Sequence, residues 1–193
     1  MLFGSLTTYA QESKPCVSLN GGIGSSYNLT SKNSGIKDYY NIEGKLNVVF
    51  NDKWFVGYTQ SGSLAPDNLL KDASLAPGVK KSKINNYALI VGRKWNMGDK
   101  FYFTGGVNFG ISEFSTRTTN GSDWDEIFNS NSKNSFVAGA ETAVGFNINR
   151  YLALEAGANY HRYFKSEELA IDTNDLSSLG FNVSLIGKLN LTQ

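Results

Sequence analysis

The chain has 193 residues, a net charge of +1, 40% hydrophobic and 18% charged residues, and a mean hydropathy of −0.29. So even a balance leaves no electrostatic footprint for a nucleic-acid partner, and no run of about 18 apolar residues exists to form a transmembrane helix. Twenty Gly and 13% aromatic residues against three Pro favour a Gly-punctuated, aromatic-rich sheet protein of one domain.

Residues 1–10 include Leu2-Phe3-Gly4-Ser5-Leu6 and the small residues Thr8 and Ala10. They read as the remnant of a truncated export signal, which leaves 11–193 as a single domain. Cys16 is the one cysteine, so an intramolecular disulfide is excluded and no cysteine-based metal spacing occurs.

From Cys16 the chain alternates with a period of two. Val17, Leu19, Gly21, Ile23, Ser25, Tyr27 and Leu29 oppose Ser18, Asn20, Gly22, Gly24, Ser26 and Asn28, which predicts the first strand. After a short polar connection around Lys32, a second strand starts near Ile36. It sets Ile42, Gly44, Leu46 and Val48 against Glu43, Lys45 and Asn47. Asn51-Asp52-Lys53 reads as a hairpin turn, and Trp54, Val56 and Tyr58 share a face of the third strand. The polar segment from Gly62 to Ser82 holds Ser63-Leu-Ala-Pro66 and Ser74-Leu-Ala-Pro77, an echo too short for a repeat architecture, and its prolines argue against a strand. Lys83 to Trp95 is the fourth strand, with Tyr87, Leu89, Val91 and Trp95 in register. Arg93 interrupts that face, as a bulge or a place at a membrane interface would explain.

A turn at Gly98 leads into the fifth strand, where Phe101, Phe103, Val107, Phe109 and Ile111 oppose Thr104, Gly106, Asn108, Gly110 and Ser112. A polar loop over Ser115 to Asn134 precedes the sixth. There Phe136, Ala138, Ala140, Thr142, Val144, Phe146 and Ile148 lie opposite Gly139, Glu141, Gly145 and Asn147. After Asn149-Arg150, the seventh strand alternates Leu152, Leu154, Ala156, Ala158 and Tyr160 against Ala153, Glu155, Gly157, Asn159 and His161. A loop from Lys165 to Ser177 comes before the eighth, which sets Leu179, Phe181, Val183, Leu185, Leu189 and Leu191 against Gly180, Asn182, Ser184 and Lys188. Hairpin after hairpin with no helical period predicts an all-β, antiparallel up-and-down barrel of eight strands.

The apolar face carries Asp38, Arg93 and Arg162 as its charges, each near a strand end. The polar face is mostly Gly, Ser and Asn with isolated ions, whereas a solvated sheet surface would be dense in Lys, Glu and Thr. Both features suit a barrel turned inside out, with lipid against its apolar face and a crowded lumen in which ions must pair. The expected lumen network is Glu43, Lys45, Glu141, Glu155, His161 and Lys188. Trp54, Trp95, Phe101 and Tyr151 beside the tight turns, and Tyr58, Tyr87 and Tyr160 toward the longer loops, are expected as membrane-interface girdles. A soluble lipocalin-like binding barrel would require the opposite orientation.

In these features the chain resembles the small eight-stranded outer-membrane barrels of Gram-negative bacteria, the OmpA/OmpX-like and OmpW-like outer membrane protein β-barrel domain group. The resemblance covers nearly all of residues 16–191. Barrels of that group close on a terminal aromatic residue, where this chain has Leu189-Asn-Leu-Thr-Gln193. The resemblance implies export through the periplasm to the bacterial outer membrane and insertion by the barrel-assembly machinery. Phospholipid and lipopolysaccharide then become the surrounding partners.

Catalysis is not expected. His161 is the one histidine. The deacylase type among small barrels needs Ser two residues beyond its His, where Tyr163 stands, and alternation turns His161 toward the lumen. No phosphate loop, zinc spacing or calcium loop occurs, so neither a cofactor nor a metal is expected. Asp123-Trp-Asp-Glu126 reads as a solvated acidic loop. The expected role is structural or adhesive, carried by exposed loops on a barrel with a plugged lumen. Leu69, Leu70, Trp124, Ile127 and Phe128 are the contact candidates for another surface protein. The alternative is an OmpW-like channel for small solutes or hydrophobic compounds.

Overall fold

The computed structural model describes residues 16–32, 34–64, 69, 71, 79–118, 130–164 and 176–191. The export remnant over residues 1–10 lies outside them. The strands are β1 (Val17–Thr30), β2 (Tyr39–Phe50), β3 (Trp54–Ser63), β4 (Val79–Met97), β5 (Phe101–Thr118), β6 (Ser130–Asn147), β7 (Leu152–Tyr163) and β8 (Ser177–Asn190). Each pairs antiparallel with its neighbours in the chain, and β1 pairs with β8 from Ser18↔Asn190 to Thr30↔Ser178, so the sheet closes into a barrel.

The tight turns explain why the hairpins register as they do. Lys53 N donates to Phe50 O at 3.0 Å while Asn51 and Asp52 take φ of 51° and 52°, the two left-handed central residues that match the twist of a hairpin. Asp52 is held by Lys94 and by Asn96 Nδ2, which locks this turn to β4. Between β6 and β7, Asn149 Oδ1 accepts from Tyr151 N at 2.8 Å and Leu152 N at 2.9 Å, so one side chain satisfies the donors of the bend.

Three strands run longer than the alternation predicts. The β4–β5 ladder continues to Val79↔Thr118 and the β5–β6 ladder to Arg117↔Ser130, so the expected loops at Gly62–Ser82 and Ser115–Asn134 are partly strand. Above the bilayer the outer face of a ribbon meets water instead of lipid. Residues such as Lys83, Asn85, Glu113, Ser115, Ser132 and Asn134 therefore carry no period-two hydrophobic signal.

The orientation is inside out. Ile23 is 65% exposed on the outer wall, while Asn108 inside is 3% exposed. A lipocalin-like arrangement, apolar side inward, is therefore not the one formed. The interior is not polar throughout, however. Ile36, Tyr39, Leu69, Ile84, Phe114, Val137, Tyr163 and Leu176 form a buried apolar cluster at the loop-side end. Two smaller clusters, Val49–Phe55–Ile90 and Tyr102–Ala153–Ile186, lie toward the tight turns. Polar side chains dominate between them.

Candidate functional site

The lumen is built from the inward positions of all the strands, and its chemistry changes with height. Nearest the tight turns, Tyr102 is the central side chain. Its hydroxyl donates to Glu155 Oε1 at 2.9 Å. The ammonium groups of Lys188 and Lys94 lie 4.4 and 4.9 Å from its ring centroid, an arrangement in which the ring face offsets two cations at once. Lys188 also bonds Asn147 Oδ1, and Lys94 pairs with Asp52. The ring fits because Gly145 stands beside it; a Cβ at Gly145 would overlap three atoms of the Tyr102 ring. Outside this layer a basin of about 490 Å³ opens among Asp52, Asp99, Asn147, Arg150, Lys188 and Asn190.

At mid-height Lys45 Nζ lies 3.0 Å from Glu141 Oε1, with side chains 7% and 15% exposed. Glu43 and Glu155 add negative charge around the same ammonium. Glu43 is buried, and its Oε1 has no hydrogen-bond partner among the described residues; the same holds for both amide atoms of Asn108 and for Asn41, Asn86 and Asn159 Oδ1. His161 faces inward beside Gly139, where a Cβ would crowd His161 Cδ2 and Asn108 Oδ1. Between this level and the Tyr102 layer a cavity of about 30 Å³ is lined by Lys45, Glu141, Glu155 and Tyr102 among others, room for about two water molecules.

At the loop side the apolar cluster crosses the mouth. Leu69 is 4% exposed within it and its backbone N–H donates to Ser82 Oγ at 2.6 Å. Lys37 N donates to Leu69 O and Lys71 N to Gly35 O, both at 2.7 Å, so this segment is bridged to the β1–β2 connection. Beneath it the Tyr39 and Tyr163 hydroxyls are 3.4 Å apart, Asn86 Nδ2 reaches Tyr163 at 3.4 Å, and Phe114 meets the Tyr163 ring edge-on.

The expected network is thus brought together in part. Lys45 and Glu141 pair, Glu155 and Lys188 meet at Tyr102, and Glu43 and His161 face the same interior without an ion pair among the described residues. Tyr102, Lys94 and Asp52 were not foreseen, although parity along β4 and β5 turns Lys94 and Tyr102 inward. Leu69 is a correction: the exposed contact candidate is a buried one, because its side chain finds the apolar rim that the inward residues of five strands create. Leu70, Trp124, Ile127 and Phe128 lie outside the described residues.

On the outer wall Trp54, Trp95, Phe101, Phe146 and Tyr151 are exposed around the tight-turn end. Phe101 and Phe146 are in ring contact at 5.2 Å, and Arg150 lies over Tyr151 at 4.5 Å. At the other end Tyr27 meets Tyr40 at 4.7 Å and Phe136 meets Phe164 at 5.5 Å, with Tyr87 and Tyr160 at similar height. Tyr58 is a second correction. It stands four residues from Trp54 on β3, about 13 Å along a strand, which lies within an apolar band about 25 Å tall rather than at its upper edge.

A closed antiparallel barrel with a lipid-compatible exterior, paired aromatic belts and charges drawn inside is a transmembrane barrel of the outer-membrane type. Residues 1–188 match the outer membrane protein beta-barrel domain, and the chain belongs to that family. It is an integral protein of a bacterial outer membrane, surrounded by that membrane's lipid. Its fold is similar to that of Neisserial surface protein A, at 13% identity and TM-score 0.60, over 90% of this chain and 97% of that one. It is also similar to Ail, the attachment invasion locus protein of Yersinia pestis, at 14% identity and TM-score 0.55, over 92% and 100%. A major outer membrane protein from Thermus thermophilus is similar at 14% identity and TM-score 0.55, over 89% and 99%. No curated protein matches the chain at the level of sequence.

Proposed function

We propose that this barrel is a non-enzymatic, closed scaffold that presents its loop-side segments for contact with other surfaces. The observation that carries the reading is the apolar cluster at the loop-side mouth, with Leu69 seated in it and bridged to the β1–β2 connection. Hydrated ions and polar solutes would have to pass Ile36, Leu69, Ile84, Phe114 and Leu176 and then the Lys45–Glu141 pair, and each step removes water without replacing it. His161 supports the absence of catalysis in this reading, since it faces the lumen and not the acyl chains. Recognition then falls to the segments between the long strands, 65–78, 119–129 and 165–175. Insertion by the barrel-assembly machinery belongs to the same reading.

Planar-bilayer recording tests the closed lumen. The purified protein is expected to leave a bilayer silent, and reproducible single-channel steps would replace this reading with the channel one. For the contact role, the Ail structure is of a complex with the heparin analogue sucrose octasulfate, which makes sulfated glycan the first surface to try. Cells displaying the protein are expected to adhere to immobilised heparin more than cells displaying a barrel with those three segments shortened to turns. Equal adhesion would count against loop-borne contact with that class of partner.

A further inference from the structure

Arg93 is exposed on the outer wall, where its neighbours along β4 are the lipid-facing Val91 and Trp95. In register it stands beside Trp54, the first residue of β3, on one side and Gly105 on the other. Its guanidinium carbon lies 5.3 Å from the Trp54 ring centroid and 5.5 Å from that of Trp95. The Trp95 ring in turn leans over Gly105, where a Cβ would stand 3.4 Å from its Cζ3. Trp54 is held in place from behind: Asp52 is bonded to Lys94 and Asn96, and Lys94 N donates to Lys53 O at 2.6 Å. The cation is thus clasped by two indoles on a framework fixed by neighbouring strands.

Contact with ring faces stabilises the charge but accepts none of the five guanidinium N–H groups. The Arg93 side chain has no ion pair or hydrogen bond with any described residue; the two ion pairs among them are Lys45–Glu141 and Lys94–Asp52. Facing acyl chains, those donors would be left unsatisfied, which hydrocarbon strongly disfavours. The short turns of such barrels face the periplasm, so Arg93 stands at the headgroup level of the phospholipid leaflet. We infer that Arg93, between Trp54 and Trp95, binds the phosphate of a periplasmic-leaflet glycerophospholipid. A phosphodiester accepts two parallel N–H bonds from a guanidinium, and the acyl chains of the same lipid would run along Val91 and Val107, which pair with one another on the bilayer side of Arg93.

The test is native mass spectrometry of the protein in non-ionic detergent with added dioleoylphosphatidylglycerol. Wild type is expected to retain the lipid roughly fivefold better than Arg93→Gln, with Arg93→Lys between them. A dioleoyl galactolipid, which has the same chains and no phosphate, is expected to be retained weakly and equally by all three. Millimolar inorganic phosphate is expected to leave the bound phosphatidylglycerol in place. Equal retention of phosphatidylglycerol by wild type and Arg93→Gln overturns the proposal, and so does its release by inorganic phosphate, which would mark a site for soluble anions. Should Arg93→Gln fail to give a folded, heat-modifiable barrel, wild type alone decides: equal retention of the phospholipid and the galactolipid overturns it.

Discussion

Lys45 Nζ and Glu141 Oε1, 3.0 Å apart, join β2 to β6 across the interior of the barrel. No strand pairing brings those two strands together, since β2 is bonded to β1 and β3, and β6 to β5 and β7. The ion pair is therefore a strut between opposite walls. Both partners are largely buried, so removing either leaves the other charge without compensation in a low-dielectric interior.

The first prediction follows from that asymmetry. Lys45→Met and Glu141→Gln should each lower stability by about 3 kcal/mol, whereas the double substitution should cost less than the sum of the two. Urea unfolding from lipid vesicles, followed by tryptophan fluorescence, measures the cycle. Strictly additive losses would show that the two groups do not act on one another.

The Tyr102 layer leads to a second prediction. Gly145→Ala places a methyl group inside the Tyr102 ring and should cost about 1–3 kcal/mol through overpacking. In a Tyr102→Ala background the same change should be nearly neutral, because the obstructing ring is gone. A full penalty in both backgrounds would trace the effect of Gly145 to its backbone instead.

Leu69 distinguishes the two descriptions of the loop-side mouth. As a solvated loop residue it would tolerate Leu69→Ala within about 0.5 kcal/mol. Buried against Ile36, Ile84 and Phe114, it should lose about 2–4 kcal/mol on the same truncation. The same variant, recorded in a planar bilayer, should show intermittent conductance that wild type lacks if this cluster is the barrier at the mouth. A variant as stable and as silent as wild type would remove Leu69 from the seal.

These side chains also show how far the sequence could be read. A period of two decides which wall a residue faces, so the inward direction of Glu43, Lys45, Glu141, Glu155, His161 and Lys188 was legible without coordinates. Which inward residues meet was not, because Lys45 and Glu141 lie on strands that never pair and their contact depends on the stagger of the closed barrel. Leu69 sits in a Pro-containing polar stretch with no periodicity of its own, and only the assembled rim gives it a place to be buried. The upper ends of β4, β5 and β6 escaped for the converse reason: above the lipid the outward residues are polar, so the apolar wall by which a strand is read stops short of its end. Arg93 stood out as a charge on an apolar face, but its clasp depends on two Trp residues from different strands.

The inside-out orientation carries a prediction graded with depth. Val183, 53% exposed near the middle of β8, should face hydrocarbon at mid-bilayer, where arginine costs about 2–4 kcal/mol. Leu189, one residue from the turn-side end of the same strand and equally exposed, lies where the long side chain reaches the headgroups, and arginine there should cost no more than about 1 kcal/mol. Unfolding of Val183→Arg and Leu189→Arg from phospholipid vesicles gives both values on one strand and one face. Equal penalties, or a smaller one for Val183, would mean that the apolar wall does not cross the bilayer as the girdles place it.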